Sequence, residues 1–189
     1  MKQAEQQEKV VNGVNVNDLF STIDAIKGEP QIAKFTFKAV NKWDQGSANR
    51  TIVNEFDGAC QTFNRKEPFI FQKDEPPILL GNDSGANPAE FALAALAGCL
   101  TTSLIYHAAA RGIRIEEVES TYSGDLDLHG FLGLDENVRN GYEGVKISFK
   151  VKGDAPEETL KELVGLAQKR SPVFDVFTNK VPVSVSYER

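Results

Sequence analysis

Two cysteines are the side chains of this 189-residue chain best suited to covalent chemistry, and their surroundings differ. Cys99 falls in the alanine-rich run from Asn87 to Leu100, which predicts a helix, whereas Cys60 falls in a segment that predicts a strand. A thiol on an apolar helix is either a reactive nucleophile or a small apolar core residue. Both roles stay open for Cys99, and we interpret Cys60 as a free thiol without a set role.

Two further polar side chains share the predicted helix with Cys99. Asn87, Pro88 and Glu90 occupy the N-cap, first and third positions of a capping box, so Glu90 is expected to accept a backbone N–H rather than act in catalysis. His107 follows Cys99 by eight residues, which is about 12 Å along a helix axis and too far for a Cys–His pair. We interpret His107 as a core or interface histidine.

The remaining polar motifs predict structural roles. Ser171 precedes a proline after a second predicted helix, where a serine caps the next turn. Asp74 and Glu75 precede two prolines and are interpreted as a solvated turn rather than an acid–base pair. Two histidines and two cysteines at these spacings match no familiar zinc site, and the 81–85 loop lacks the Gly-Lys-Ser/Thr ending of a phosphate-binding loop. We expect no metal and no cofactor.

Composition favours a soluble cytoplasmic protein. The net charge of −6 and the pI near 5.1 argue against a nucleic-acid partner. Residues 91–110 carry no charged side chain, but alanine dominates them, so we predict a long core helix and no membrane partner. Only two cysteines are present, as is typical of a reducing compartment.

The pattern of apolar residues predicts an α+β fold with an antiparallel sheet. Residues 1–32 are expected to form a polar leader and a short helix capped by Asn17, and residues 33–189 a single domain. A second capping box, Asp154 with Glu157, is expected to open the last long helix. Strands are predicted at 33–40, 51–56, 60–71, 113–128, 145–151 and 181–187, and loops at 43–49 and 129–142.

The motif from Gly85 to Leu100, with Asn-Pro at its start and Ala-Gly-Cys near its end, and the later Ser171-Pro-Val resemble the OsmC/Ohr family. The match in order and spacing extends over residues 33–188. The resemblance implies an OsmC-like fold, in which an antiparallel sheet packs on a long central helix, and an intertwined homodimer with two sites at its interface. It also implies thiol-dependent reduction of organic hydroperoxides.

In the peroxidases of that family a reactive cysteine on the central helix attacks the peroxide, and a second cysteine before Pro-Val resolves the sulfenic acid as a disulfide. By this resemblance Cys99 takes the reactive position and Ser171 stands in place of the resolving cysteine. The family glutamate falls on Ala89, and Glu90 lies one residue late, about 100° around the helix. A two-cysteine cycle is therefore not expected.

The family also uses an arginine shortly before the Asn-Pro loop, and this sequence has none there. Arg65 or Arg50 could substitute only with a different loop geometry, and the sequence places neither Lys73 nor an arginine beside Cys99. Two functions stay open. One is a one-cysteine reductase of organic hydroperoxides that uses an external thiol, and the other is a non-catalytic dimeric module that binds a small apolar ligand.

Overall fold

The computed structural model describes residues 9–189, in which the chain forms two compact units. The first unit contains Asn15–Ala92, and the second contains Lys9–Val14 and Leu93–Arg189. Residues 1–8 of the predicted leader lie outside the described residues. The strands in each unit pair antiparallel, so the predicted α+β class with antiparallel sheets is confirmed.

The first unit is built on a four-stranded sheet that follows helix α1 (Val16–Gly28). Strand β5 is central and pairs with the other three strands. Two turns of 3₁₀ helix precede and follow the sheet, at Pro30–Ala33 and Pro77–Leu79. The strands are β3 (Thr36–Phe37), β4 (Val40–Gln45), β5 (Ala48–Gly58) and β6 (Gln61–Lys73).

Three predictions for this unit are wrong at their boundaries. The segment 43–49 is a tight β4–β5 hairpin around Gly46 rather than a loop, and Asn15, not Asn17, caps α1. Cys60 is not within a strand. It lies with Ala59 at the β5–β6 turn, where both residues adopt the left-handed conformation (φ 46° and 61°) that a two-residue hairpin of type I′ requires.

The second unit contains most of the long helix α2 (Pro88–Ala110), whose first turn belongs to the first unit. It continues with β7 (Ile115–Asp125) and β8 (Gly144–Gly153), which pair as a long hairpin. Helices α3 (Leu128–Phe131), α4 (Glu157–Arg170) and α5 (Pro172–Thr178) complete it. The loop predicted at 129–142 therefore begins within a short helix.

The core of the second unit lies where α2 and α4 meet the inner face of the hairpin. Leu104 and Ala108 of α2 pack with Leu163 and Ala167 of α4, and all four are fully buried. Leu163 and Ala167 thus belong to one apolar face of α4. Inner-face residues of β7 and β8 and neighbouring helix residues surround this cluster, among them Val118, Phe149 and Val151.

An N-terminal hairpin, β1 (Val10–Val11) with β2 (Val14–Asn15), also contributes to the second unit. Asn12 and Gly13 form its turn with positive φ, as a type I′ turn requires. The Asn12 side chain donates to Ile113 O at 2.9 Å and accepts from Ile115 N at 2.8 Å, imitating a strand's peptide group. The sequence analysis missed this contact.

Two C-terminal predictions also need correction. Asp154 does not cap α4, whose N-cap is Pro156; its carboxylate instead accepts from Arg114 N at 2.7 Å. Residues 181–187, predicted as the final strand, pair with no other strand in the described chain. Their alternating apolar residues are exposed, with Val183 and Val185 at 82% and 93%.

Candidate functional site

The start of helix α2 is fixed by a reciprocal cap. Asn87 Oδ1 accepts from Ala89 N at 2.7 Å, and Glu90 Oε2 accepts from Asn87 N at 2.8 Å. The carboxylate of Glu90 is therefore engaged at the helix end, as the capping-box pattern predicts. The Asn87 side-chain amide donates to the Glu75 carboxylate, which ties the preceding loop to the cap.

The loop before α2 is organised by a buried carboxylate that the sequence analysis placed in a solvated turn. Asp74 is 1% exposed and accepts from the hydroxyls of Ser47 (2.5 Å) and Ser84 (2.9 Å). It also accepts from the backbone N–H groups of Glu75, Asn82 and Ser84. These hydrogen bonds hold the pKa of Asp74 well below its usual range, and the bond from the Ser47 hydroxyl contributes most. The run of turn residues at 81–85 could have indicated this role of Asp74, because the backbone N–H groups of a compact loop need an acceptor.

Cys99 lies on α2 and is half-buried, and the structure brings it together with Ser171. Ser171, 3% exposed, is the N-cap of α5, and its Oγ accepts from Phe174 N at 3.1 Å. The same Oγ lies 3.0 Å from Cys99 Sγ and donates to it. Because the cap bond uses an oxygen lone pair, the hydroxyl proton is free to point at the sulfur.

The cationic side chains considered as substitutes for the family arginine have other partners. Arg50 forms an ion pair with Asp44. Arg65 donates to Asn54 O at 2.8 Å and lies over two phenylalanine rings of the sheet, 5.1 and 5.3 Å from their centroids. Lys73 contacts Thr51 and lies 5.8 Å from the centroid of the Phe91 ring. All three are in the first unit, whereas Cys99 is in the second.

His107 is half-buried on α2, and its imidazole makes no hydrogen bond or ion pair among residues 9–189. Burial is the main cause that lowers its pKa, and the positive charges of Arg111 and Arg170 lower it further. The neutral imidazole is therefore favoured, which is compatible with the structural role predicted for it.

A groove opens beside Ser171, between α4 and helix α5. Its volume is about 400 Å³, and polar side chains form much of its wall. Ser171 is common to this groove and to the Cys99 contact. Among the residues that line the groove are Gly165, Gln168, Lys169, Ser171, Asp175 and Thr178.

A metal centre and a membrane span are two further features that the described residues could form. Residues 9–189 contain no group of three or more His, Cys, Asp or Glu side chains placed to hold a metal ion. Within the same range, α2 alone is long and apolar enough to cross a membrane, with a mean hydropathy of 1.5. The core helix of a soluble protein passes the same test, and 22% of that apolar window is buried within the chain.

Comparison with known proteins agrees with this fold. The sequence profile of the OsmC family, described as OsmC-like protein, matches residues 81–186, which include both Cys99 and Ser171 and exceed half of the chain. The chain belongs to the OsmC-like family. A search of curated proteins finds no significant match to it.

Solved structures of OsmC-like proteins share the fold at low sequence identity. An OsmC-like protein from Mycoplasma pneumoniae is 15% identical, with 76% of this chain and 87% of that chain covered and a TM-score of 0.58. A Psychrobacter arcticus protein, provisionally described as an osmotic stress induced and detoxification response protein, is 14% identical, with coverages of 73% and 85% and a TM-score of 0.55. An organic hydroperoxide resistance protein from Legionella pneumophila is 17% identical, with coverages of 74% and 88% and a TM-score of 0.49.

Proposed function

We propose that this OsmC-like protein is a one-cysteine reductase of organic hydroperoxides, with Cys99 as its nucleophile. The contact between Ser171 Oγ and Cys99 Sγ at 3.0 Å carries the proposal. A hydroxyl that donates to sulfur stabilises the thiolate, which is the nucleophilic form of cysteine. Membership of the OsmC-like family supports this class of substrate.

The reaction begins with attack of the Cys99 thiolate on a peroxide oxygen. The O–O bond breaks, the sulfur is oxidised to a sulfenic acid, and the other oxygen leaves as the alcohol after taking a proton. Ser171 has no thiol, so no disulfide forms at the resolving position. An external thiol then attacks the sulfenic sulfur and releases water, which leaves a mixed disulfide. A second thiol molecule releases Cys99 and departs as the oxidised disulfide.

We further propose that the protein works as a homodimer. A chain of 20.8 kDa that folds as a monomer exposes about 8,900 Å², whereas this chain exposes 14254 Å². The difference is about 5,000 Å² per chain, or about 10,000 Å² for two chains, which is more than the roughly 2,000–5,000 Å² that obligate dimers commonly bury in total. A second copy of the chain is the partner that the family resemblance implies.

Three exposed apolar features support this partner. One face of α2, which includes Ala95, Gly98 and Thr102, is open to solvent although the helix is apolar throughout. The phenylalanines of the first unit's sheet are stacked but exposed, with Phe37 at 74%. Residues 181–187 alternate as a strand does and find no strand to pair with in the described chain. An intertwined dimer would cover all three.

The deciding experiment measures oxidation of Cys99 by an organic hydroperoxide, with trapping of the sulfenic acid and intact-mass analysis, and with hydrogen peroxide for comparison. We expect fast and selective trapping in the wild-type protein and none at this position in Cys99→Ser. Cys60→Ser is the matched control because its thiol lies at an exposed turn, and we expect it to leave turnover with an added thiol unchanged.

Oxidation of Cys99 no faster than that of a free thiol would refute the reductase function. The alternative function, a non-catalytic dimeric module that binds a small apolar ligand, would then remain. Sedimentation analysis tests the dimer separately. A monomer at micromolar concentration would contradict it.

A further inference from the structure

Helix α5 is a short element that depends on its ends for stability. None of its residues 172–178 is buried, and a helix of this length is at best marginal alone in water. At its N-terminus Ser171 Oγ accepts from Phe174 N at 3.1 Å. Near its C-terminus the ring of Phe177 stacks on that of Tyr142, with centroids 6.5 Å apart. An element with little buried surface opens at a low free energy, so a change at either end should affect its opening.

The hydroxyl that caps α5 is also the group in contact with the sulfur of Cys99. Ser171 Oγ donates to Cys99 Sγ at 3.0 Å while it accepts from Phe174 N. Ser171 is 3% exposed, so solvent offers its hydroxyl little replacement for either partner. The cap and the cysteine contact therefore meet at one oxygen atom, and a shift of Ser171 away from the sulfur also disturbs the cap.

Oxidation of Cys99 changes this contact. The thiolate gives two electrons to an organic hydroperoxide, an S–O bond forms, the O–O bond breaks, and the other oxygen leaves as the alcohol after taking a proton from water. Two hydrogen-bonded oxygens lie about 2.5–3.0 Å apart, so no new oxygen fits between Cys99 Sγ and Ser171 Oγ at their distance of 3.0 Å. Ser171 must shift to donate to the new oxygen, or keep as its acceptor a sulfur without negative charge, which accepts more weakly.

We propose that this arrangement is a redox-sensitive switch, in which oxidation of Cys99 loosens Ser171 and opens helix α5. The inference rests on the proposed function for its oxidant, the organic hydroperoxide. Two molecules of an external thiol return the sulfenic acid to the thiolate and yield water and a disulfide, which closes the helix again. Opening separates Phe177 from Tyr142, so the change at the cysteine extends to the segment that precedes β8.

The first test uses variants and no oxidant. Hydrogen exchange of the amides of residues 173–178 is measured by mass spectrometry in wild type, Cys99→Ala, Ser171→Ala and the double variant. Cys99→Ala removes the acceptor of the Ser171 hydroxyl and should speed exchange about fivefold. The double variant should exchange no faster than Ser171→Ala, because the contact is already lost there. Equal exchange in wild type and Cys99→Ala would overturn the switch, as would independent effects of the two substitutions.

The second test modifies Cys99 reversibly, whatever its reactivity towards peroxides. Methyl methanethiosulfonate converts the thiol into a methyl disulfide and releases methanesulfinate, and intact mass in a Cys60→Ser background counts the label. We expect exchange in α5 to rise about fivefold and to return to the starting rate after dithiothreitol. Amides of α4 around the buried Leu163 and Ala167 are the internal control. An equal rise in α4, or the same rise in α5 of Ser171→Ala, would refute the switch.

The third test joins the switch to the proposed function. Oxidation by an organic hydroperoxide should speed exchange in α5 as the sulfenic acid forms, and an added thiol should reverse both changes. Cys99→Ser should show neither change. A sulfenic acid that forms without faster exchange in α5 would overturn the switch and leave the reductase intact. If no sulfenic acid forms, the proposed function fails, and the variants and the methyl disulfide still decide on the switch.

Discussion

Ser171→Ala removes two hydrogen bonds of the candidate site at once, and their effects can be measured separately. The first is the cap of α5, in which Ser171 Oγ accepts from Phe174 N at 3.1 Å. Loss of such a cap costs about 1 kcal/mol, which lowers the melting temperature of a chain this long by about 2–4 °C.

The second effect falls on the reactivity of Cys99, whose sulfur lies 3.0 Å from the Ser171 hydroxyl. A hydrogen bond to a charged acceptor contributes about 1.5–3 kcal/mol and one to a neutral acceptor about 1. The difference, about 1 kcal/mol, is the part of this hydrogen-bond energy that depends on charge at the sulfur, and it corresponds to about fivefold in a rate. A sulfur that accepts a hydrogen bond is also a weaker nucleophile, which cancels about half of this gain on a logarithmic scale. We therefore expect Ser171→Ala to slow alkylation of Cys99 about twofold to threefold.

The assay is alkylation by iodoacetamide at neutral pH, followed by intact mass in a Cys60→Ser background so that one thiol reacts. Ser171→Thr keeps the hydroxyl and is the matched control, which should retain both the wild-type rate and the melting temperature. An unchanged alkylation rate in Ser171→Ala with a lowered melting temperature would refute the role at Cys99 and leave the hydroxyl as a helix cap.

Three further predictions test the core, the loop and the resolving position. Leu104→Ala, at a side chain with no exposed surface, should lower the free energy of unfolding by about 3–5 kcal/mol in urea titrations, and a much smaller loss would contradict the packing described. The pKa of Asp74 is lowered in the folded protein, so the ionised carboxylate stabilises the fold fully above the ordinary carboxyl pKa, and this stabilisation is lost as pH falls towards the folded pKa. Asp74→Asn should therefore be less stable than wild type near neutral pH, and the difference in free energy of unfolding should narrow in acid. A gap that widens in acid would contradict this sign. Ser171→Cys places a second sulfur near the Oγ position, 3.0 Å from Cys99 Sγ, so peroxide should yield an internal disulfide, and a stable added oxygen in the mass spectrum would contradict that geometry.

The long elements could be predicted from the sequence because each carries a local signal, either a cap or an alternation of apolar residues. Helix α2 begins with a cap readable in Asn87 and Glu90, and the strand from Val145 alternates over its whole length. The resemblance also identified Cys99 and Ser171 as a pair of positions, and the structure places their side chains in contact. Local pattern was sufficient in these cases.

The misplaced elements depend on contacts that no local pattern encodes. The sequence around Asp74 is typical of a surface carboxylate, because its hydrogen-bond partners Ser47 and Ser84 lie far before and after it in the chain. The strand predicted at 181–187 has the right alternation, but a strand also needs a neighbour, and the described chain gives it none. The groove beside Ser171 could likewise not be predicted from the sequence, because it forms only where α4 and α5 pack together.

The contact between Asn12 and the start of β7 has a consequence for the order of events during synthesis. Its two hydrogen bonds join residues separated by 101 and 103 positions in sequence. At ribosomal speeds of about 5–20 residues per second, about 5–20 s pass between synthesis of the N-terminal hairpin and synthesis of the start of β7. All of the first unit is synthesised in that interval, while the edge of the hairpin stays unpaired. Translation rate therefore sets how long this edge is available to chaperones or to a wrong strand.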